Sequence, residues 1–183
     1  MTLDPAWIAS ELAEIDSLGE KPQDKGKRLE TLIAAIFSDV EGLHFELSNL
    51  KNFYKTEEID LLFWNDRERH GLHFLDCPLI VECKSSKSAL SGRDLRYFAT
   101  TLADKGRSSG VLVALSGVAG KETAATAGFY HMTVALTQGV SVLLITREDL
   151  LSLTSGAGLV PLLKRRLLSL VTSQVLDAGA AST

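Results

Sequence analysis

Long apolar runs, cysteines and a basic leader are scarce or missing in this sequence. No apolar stretch approaches the ~18 residues that would suggest a transmembrane helix. The acidic, amphipathic start MTLDPAWIASELAEID lacks the basic and apolar segments of a signal peptide. The two cysteines, Cys77 and Cys83, match no zinc-binding spacing. We therefore expect a cytoplasmic protein with no membrane partner, in which both cysteines serve as small core residues.

The charge of the chain is moderate in sum but uneven in distribution. The sequence has 183 residues, 45% hydrophobic and 23% charged, which is typical of one folded domain and not of disorder. A net charge of -4 is unfavourable for a nucleic-acid-binding protein, because Lys and Arg drive binding to phosphates. Between Lys84 and Arg107, however, six cations and two aspartates give a local charge of +4. This basic segment and a second one, Lys25-Gly26-Lys27-Arg28, are equally compatible with solvated helix faces.

The hydrophobic pattern predicts an α/β domain with a mixed sheet flanked by helices. We predict a single domain over residues 1–183, with a core at about 24–150 and terminal helices at 4–18 and 159–176 as appendages. The sheet should be antiparallel in its first half and parallel in its second, where strands and helices alternate. The predicted strands are 44–50, 57–64, 79–84, 111–115 and 140–145. The predicted inner helices are 24–40, 93–105 and 121–138, with a further helix start at Thr146 and a frayed tail at 177–183.

Two charges interrupt the most apolar of these strands, LIVECK. Side chains alternate along a strand, so Glu82 and Lys84 share one face. Burying two charges costs several kcal/mol unless they are paired or bind a metal. A structural Glu–Lys pair at a strand end therefore remains one interpretation.

A third charge, Asp60, lies inside the apolar run EEIDLLFW. If the two strands form a hairpin, Asp60 can lie opposite Glu82 with the two carboxylates converging. Such a pair would repel, and a divalent cation would resolve the repulsion. Mg²⁺ prefers hard oxygen ligands and usually takes one or two carboxylates, so the backbone carbonyl of Cys83 is a natural further ligand.

The spacing of these residues resembles the active-site signature of the PD-(D/E)XK nuclease superfamily, which has the restriction-endonuclease-like fold. Asp60 is followed by 21 residues and then by Glu82-Cys83-Lys84. Glu30, on the preceding helix, matches the helical glutamate that many members carry. The stretch from about 24 to 150 looks most similar to Mrr-type restriction endonuclease domains. One departure is Ile59, which stands where the family name has proline.

The resemblance implies roles for these residues in phosphodiester hydrolysis. Asp60, Glu82 and the Cys83 carbonyl would hold Mg²⁺ or Mn²⁺, and Glu30 would support a second metal or an outer-shell water. Lys84 would orient or help to deprotonate the attacking water and would stabilise charge in the transition state. Lys84 could also act as the structural partner of Glu82, and the two roles are compatible.

These observations lead to the hypothesis of a metal-dependent DNA endonuclease, acting in restriction or anti-phage defence. Lys87, Arg93, Arg96 and Lys105 are candidate nucleic-acid contacts. A homodimer is expected because two chains are the simplest way to cut both strands, and a separate specificity or sensor partner could direct cleavage. The alternatives are a Holliday-junction or RNA-directed nuclease of the same fold, or a catalytically inactive DNA-binding or interaction module.

Overall fold

The computed structural model describes residues 3–51, 58–118 and 127–176. In these residues five strands form one sheet, which six α-helices and a short 3₁₀ helix at Gly156–Gly158 accompany. The strands are β1 (Leu43–Lys51), β2 (Glu58–Asn65), β3 (Leu79–Lys84), β4 (Ser109–Ala114) and β5 (Ser141–Thr146). The helices are α1 (Pro5–Ser17), α2 (Pro22–Ser38), α3 (Gly92–Asp104), α4 (Ala127–Thr137), α5 (Arg147–Leu151) and α6 (Leu159–Leu176).

The strands lie side by side in chain order, and β3 is where the sheet changes direction. The pairs β1–β2 and β2–β3 are antiparallel, whereas β3–β4 and β4–β5 are parallel. The predicted mixed α/β sheet is therefore confirmed. Because β2 runs against β3, the first residues of β2 lie beside the last residues of β3. This edge of the sheet holds both segments of the sequence motif.

Helix α2 packs on the sheet through the apolar stripe seen in the sequence. Leu29, Leu32 and Ile33 are almost fully buried, and the ring of Phe37 stacks on Phe63 of β2 with 5.4 Å between centroids. Helix α3 starts at a capping box formed by Ser91 and Asp94, which fixes the start of the crossover from β3 to β4.

The described elements agree closely with the predicted ones. Strand β3 has the predicted bounds, and the other strands differ by at most two residues at either end. The first part of the predicted 121–138 helix, residue 57 and the tail at 177–183 lie outside the described residues. The terminal helices contribute Ile8, Leu12 and Leu163 to the same core as the sheet. Among the described helices, none has the length and apolar character needed to cross a bilayer.

Candidate active site

The β2–β3 pairing brings Asp60 to the end of the strand that carries Glu82. The last residues paired are Leu61 with Val81, and the same register continued by one position sets Asp60 opposite Glu82. Directly opposed residues of antiparallel strands point to the same face of the sheet. The hairpin pairing that the sequence required for a common site is therefore present.

The Asp60 side chain supplies a hydrogen bond just beyond the last backbone pair of β2 and β3. Its Oδ2 accepts a hydrogen bond from the backbone N–H of Cys83 at 2.7 Å. A bond to a charged acceptor is stronger than one between neutral groups, and here it replaces a bond that the backbone of β2 would otherwise supply. The half-buried Asp60 carboxylate is thus fixed against the backbone between Glu82 and Lys84.

Glu82 and Lys84 form an ion pair on one face of β3. Lys84 Nζ donates to Glu82 Oε1 at 2.6 Å, and Glu82 is only 8% exposed. The Lys84 side chain is 40% exposed, so part of it remains open to solvent. This contact fits the structural-pair interpretation, and it also holds the lysine beside the carboxylates where a hydrolytic role would need it.

The charges around Cys83 show how closely the acidic residues approach one another. Burial raises the pKa of the Cys83 thiol well above its usual value, and nearby carboxylates raise it further: Asp60, Glu30 and Glu82. Burial lowers the pKa of Lys84, but the charge and hydrogen bond of Glu82 outweigh it, so the net pKa is raised. Cys83 is therefore an unreactive buried thiol, and Lys84 is charged at neutral pH. Three acidic groups are thus close enough to Cys83 to raise its pKa, and the Lys84 charge lowers it.

Glu30 approaches the same region from α2 but also has a partner on β1. Asn49 Nδ2 donates to Glu30 Oε2 at 2.8 Å. Asn49 has a positive φ of 53°, a conformation that asparagine tolerates better than most residues. Glu30 and Asn49 line a cavity of about 220 Å³ together with Leu61. Glu30 is thus beside the motif, and Asn49 helps to position it.

Lys84 also faces a larger cavity of about 410 Å³ between α2 and the end of β3. Its walls include the segment from Cys83 to Lys87, which continues from β3 into the following loop. The first turn of α2 supplies the opposite wall with Pro22, Lys25 and Gly26. A ligand in this cavity would lie directly against Lys84.

The donor set is compatible with a hard divalent cation. Asp60 and Glu82 provide carboxylate oxygens, and Mg²⁺ commonly uses one or two carboxylates, with water and phosphate oxygens as its other ligands. No group of three His, Cys, Asp or Glu side chains placed to hold a metal ion occurs in the described ranges. A cation at these two carboxylates would therefore need substrate and water as further ligands.

The four predicted nucleic-acid contacts are not brought into one cluster. Lys87, Arg93 and Arg96 are exposed in the loop after β3 and at the start of α3. Lys105 is half-buried beyond the other end of α3, a helix of 13 residues and hence about 20 Å long. Only the first three lie near the edge of the sheet that carries Lys84.

The basic residues of the segment Lys25-Gly26-Lys27-Arg28 in α2 lie in different environments. The sequence was compatible both with nucleic-acid binding and with solvated helix faces. Arg28 pairs with Glu11 and Glu14 of α1 at 3.0 and 3.1 Å, which ties the two helices together. Lys25 is only 6% exposed, so for this residue a solvated helix face is excluded. The signal was present, because Lys25 precedes Leu29 by four residues and therefore shares its buried stripe.

Comparison with known proteins identifies the family of the chain. No protein of curated function matches the chain. A family model described as restriction endonuclease, Mrr_cat, matches residues 23–154, which is most of the chain and includes Glu30, Asp60, Glu82 and Lys84. The mixed sheet and its flanking helices are the architecture expected for that family. The chain therefore belongs to the Mrr_cat family of restriction endonucleases, a family of nucleases that act on DNA.

Proposed function

We propose that this protein is a Mg²⁺-dependent DNA endonuclease that hydrolyses phosphodiester bonds at Asp60, Glu82 and Lys84. The observation that carries the proposal is the meeting of these residues at the joined ends of β2 and β3. The Cys83 N–H holds Asp60, the Glu82 carboxylate holds Lys84, and Lys84 faces an open cavity. Mn²⁺ would serve in place of Mg²⁺, because both accept hard oxygen ligands.

Each residue has a distinct part in this proposal. Asp60, Glu82 and the Cys83 carbonyl would hold the cation, and Glu30, positioned by Asn49, would support a second cation or an outer-shell water. A bound cation supplies positive charge that favours ionisation of water and offsets charge on the phosphate oxygens. Lys84 would orient the attacking water and stabilise the negative charge of the transition state from the cavity side.

The wider features of the proposal follow from the same residues and from the family. Lys87, Arg93 and Arg96 would contact the DNA backbone beside the site. Lys105, at the other end of α3, would contact DNA that extends along this helix. One site per chain suggests a homodimer for cutting both strands. A defence role, a cytoplasmic location and a separate specificity or sensor partner complete the hypothesis.

A second candidate is an inactive DNA-binding module, and the Glu82–Lys84 ion pair favours it. At 2.6 Å the pair compensates two charges without any metal, so the residues could be retained for stability alone. In a nuclease Lys84 would also act on the attacking water, whereas in an inactive module it would only pair with Glu82.

Plasmid cleavage by Lys84 variants separates the two candidates. Wild-type protein with Mg²⁺ or Mn²⁺ should nick supercoiled DNA, Lys84→Ala should be inactive, and Lys84→Arg should be poorly active because guanidinium lacks the compact charge of ammonium. Lys164→Ala on α6 is the control and should cut like wild type. Calorimetry should show that Lys84→Ala still binds the cation.

Absence of cleavage by the wild type with every divalent cation, on supercoiled, linear and single-stranded DNA and on RNA, would favour the module. Equal cleavage by wild type and Lys84→Ala would refute the role given to Lys84.

A further inference from the structure

Lys25 is a buried lysine without a protein partner in the described part of the chain. It lies in the first turn of α2, and 94% of its surface is covered, because its exposed fraction is 6%. No ion pair or side-chain hydrogen bond holds its ammonium among the described residues. A lysine whose stem is held by packing and whose ammonium has no protein partner can offer its charge to a ligand.

The Lys25 ammonium reaches the 410 Å³ cavity beside Lys84. Among the described side chains, Arg166 Nε is the only fully enclosed nitrogen or oxygen that lacks a hydrogen-bond partner. Lys25 Nζ, which also lacks one, must therefore touch solvent, and Lys25 lines this cavity. The stem of the lysine is covered while its charged end is accessible.

The surroundings of Lys25 favour an anion. The cavity wall also carries Lys87 and Lys84, the latter paired with Glu82, and the one acidic side chain among its described lining residues is the exposed Glu20. The N-cap residue of α2, Lys21, makes no side-chain hydrogen bond to the helix start. Of the α2 residues that line the cavity, Pro22 has no N–H and the Lys25 N–H donates to the Lys21 carbonyl, so the backbone of α2 contributes through the positive end of its helix dipole.

We propose that this cavity is a phosphate-binding subsite in which the Lys25 ammonium, at the N-terminal end of α2, holds a phosphate group next to the one attacked at Lys84. That this phosphate belongs to DNA rests on the proposed function. The same chemistry is offered by an internal phosphodiester, a terminal 5′-phosphate and free inorganic phosphate.

Inorganic phosphate tests the subsite without any requirement for catalysis. A ligand that binds only the folded state raises the melting temperature, and the rise grows with the logarithm of its concentration. We expect phosphate, relative to chloride at equal ionic strength, to stabilise the wild type, and Lys25→Met to lose most of this stabilisation. Lys25→Arg should keep it. Lys27→Met is the matched control, since Lys27 is exposed on the same helix and does not line this cavity.

Methionine is chosen because it keeps an unbranched stem of similar length and can fill the covered space. If Lys25→Met still fails to fold, Lys25→Gln replaces it in the same comparison. Equal stabilisation by phosphate of wild type, Lys25→Met and Lys27→Met would overturn the proposal, as would no stabilisation of the wild type.

DNA binding in EDTA, where no divalent cation supports cleavage, identifies the source of the phosphate. Loss of one phosphate contact lowers the slope of log affinity against log salt by about 0.9 for duplex DNA. We expect this decrease for Lys25→Met and a smaller one for Lys27→Met; equal decreases would refute a specific contact. A decrease confined to duplexes with a 5′-phosphate assigns a terminal phosphate, and a decrease with 5′-hydroxyl ends assigns an internal one.

The failure of this proposal can be told apart from the failure of the nuclease assignment. Lys25-dependent stabilisation by phosphate in a protein that cuts nothing would support the subsite and refute the nuclease function. Metal-dependent cleavage with no effect of phosphate on melting would do the opposite.

Discussion

Asp60 has two separable tasks, and two substitutions distinguish them. Its Oδ2 accepts the Cys83 N–H at 2.7 Å, and its charge is proposed to hold the cation. Asp60→Ala removes both, leaving the buried N–H without an acceptor, which costs about 1–3 kcal/mol. Asp60→Asn keeps a carbonyl oxygen that can accept the same hydrogen bond but loses the charge.

The expected losses of stability therefore differ. Because the lost bond was charge-assisted, Asp60→Ala should lose about 2–3 kcal/mol, the upper part of that range, or roughly 5–10 °C in melting temperature for a chain of this size. Asp60→Asn should lose about 1 kcal/mol or less. Asp60, Glu82 and Glu30 all lie close enough to Cys83 to raise its pKa, so the three carboxylates repel one another. Loss of this repulsion offsets part of the destabilisation expected for Asp60→Asn.

Urea unfolding without metal measures the first task, and Mg²⁺ titration followed by plasmid cleavage measures the second. Both variants should lose cleavage and metal-dependent stabilisation to the same extent, although their stabilities differ. Equal destabilisation by Ala and Asn would show that the hydrogen bond contributes nothing. Retention of metal binding by Asp60→Asn would refute Asp60 as a charged ligand.

Three further predictions concern the same edge of the sheet. A double-mutant cycle with Glu82→Gln and Lys84→Met should give a coupling energy of about 1 kcal/mol in urea unfolding. This value lies between those of surface and buried ion pairs, because the Lys84 side chain is 40% exposed. A coupling energy below about 0.3 kcal/mol would contradict the prediction. Millimolar Mg²⁺ should raise the melting temperature of the wild type but not of Glu82→Gln, and equal shifts in both would argue against a metal ligand there. Ser91→Ala should lose about 1 kcal/mol at pH 7, because the Ser91 side chain caps α3. The hydrogen bond from the Ser91 hydroxyl lowers the pKa of Asp94, so this part of the stabilisation is present above the unfolded pKa of about 4 and is lost as the pH falls through the lower folded pKa. Urea unfolding at pH 7 and about pH 3 should show the difference between wild type and Ser91→Ala shrinking.

The elements and the motif were accessible from the sequence because they depend on local patterns. Alternation in LIVECK sets Glu82 and Lys84 on one face wherever the strand lies, and the structure shows them paired at 2.6 Å. The change from hairpin spacing to strand–helix–strand spacing predicted the mixed sheet, because a parallel pair needs a crossover long enough to return the chain. These are constraints that neighbouring residues impose on one another.

The arrangement of the site was decided by contacts between distant segments. The 2.7 Å bond from Cys83 to Asp60 depends on where the β2–β3 ladder ends, and the bond from Asn49 to Glu30 requires β1 to pass beside α2. The sequence left Lys25 open between phosphate binding and a solvated helix face, and only tertiary packing shows that it is covered and lines the cavity that contains Lys84. Periodicity tells which residues share a face, whereas the burial and partners of a charge depend on the elements that pack against that face, because desolvation and Coulomb energy are set by surroundings in space and not by position along the chain.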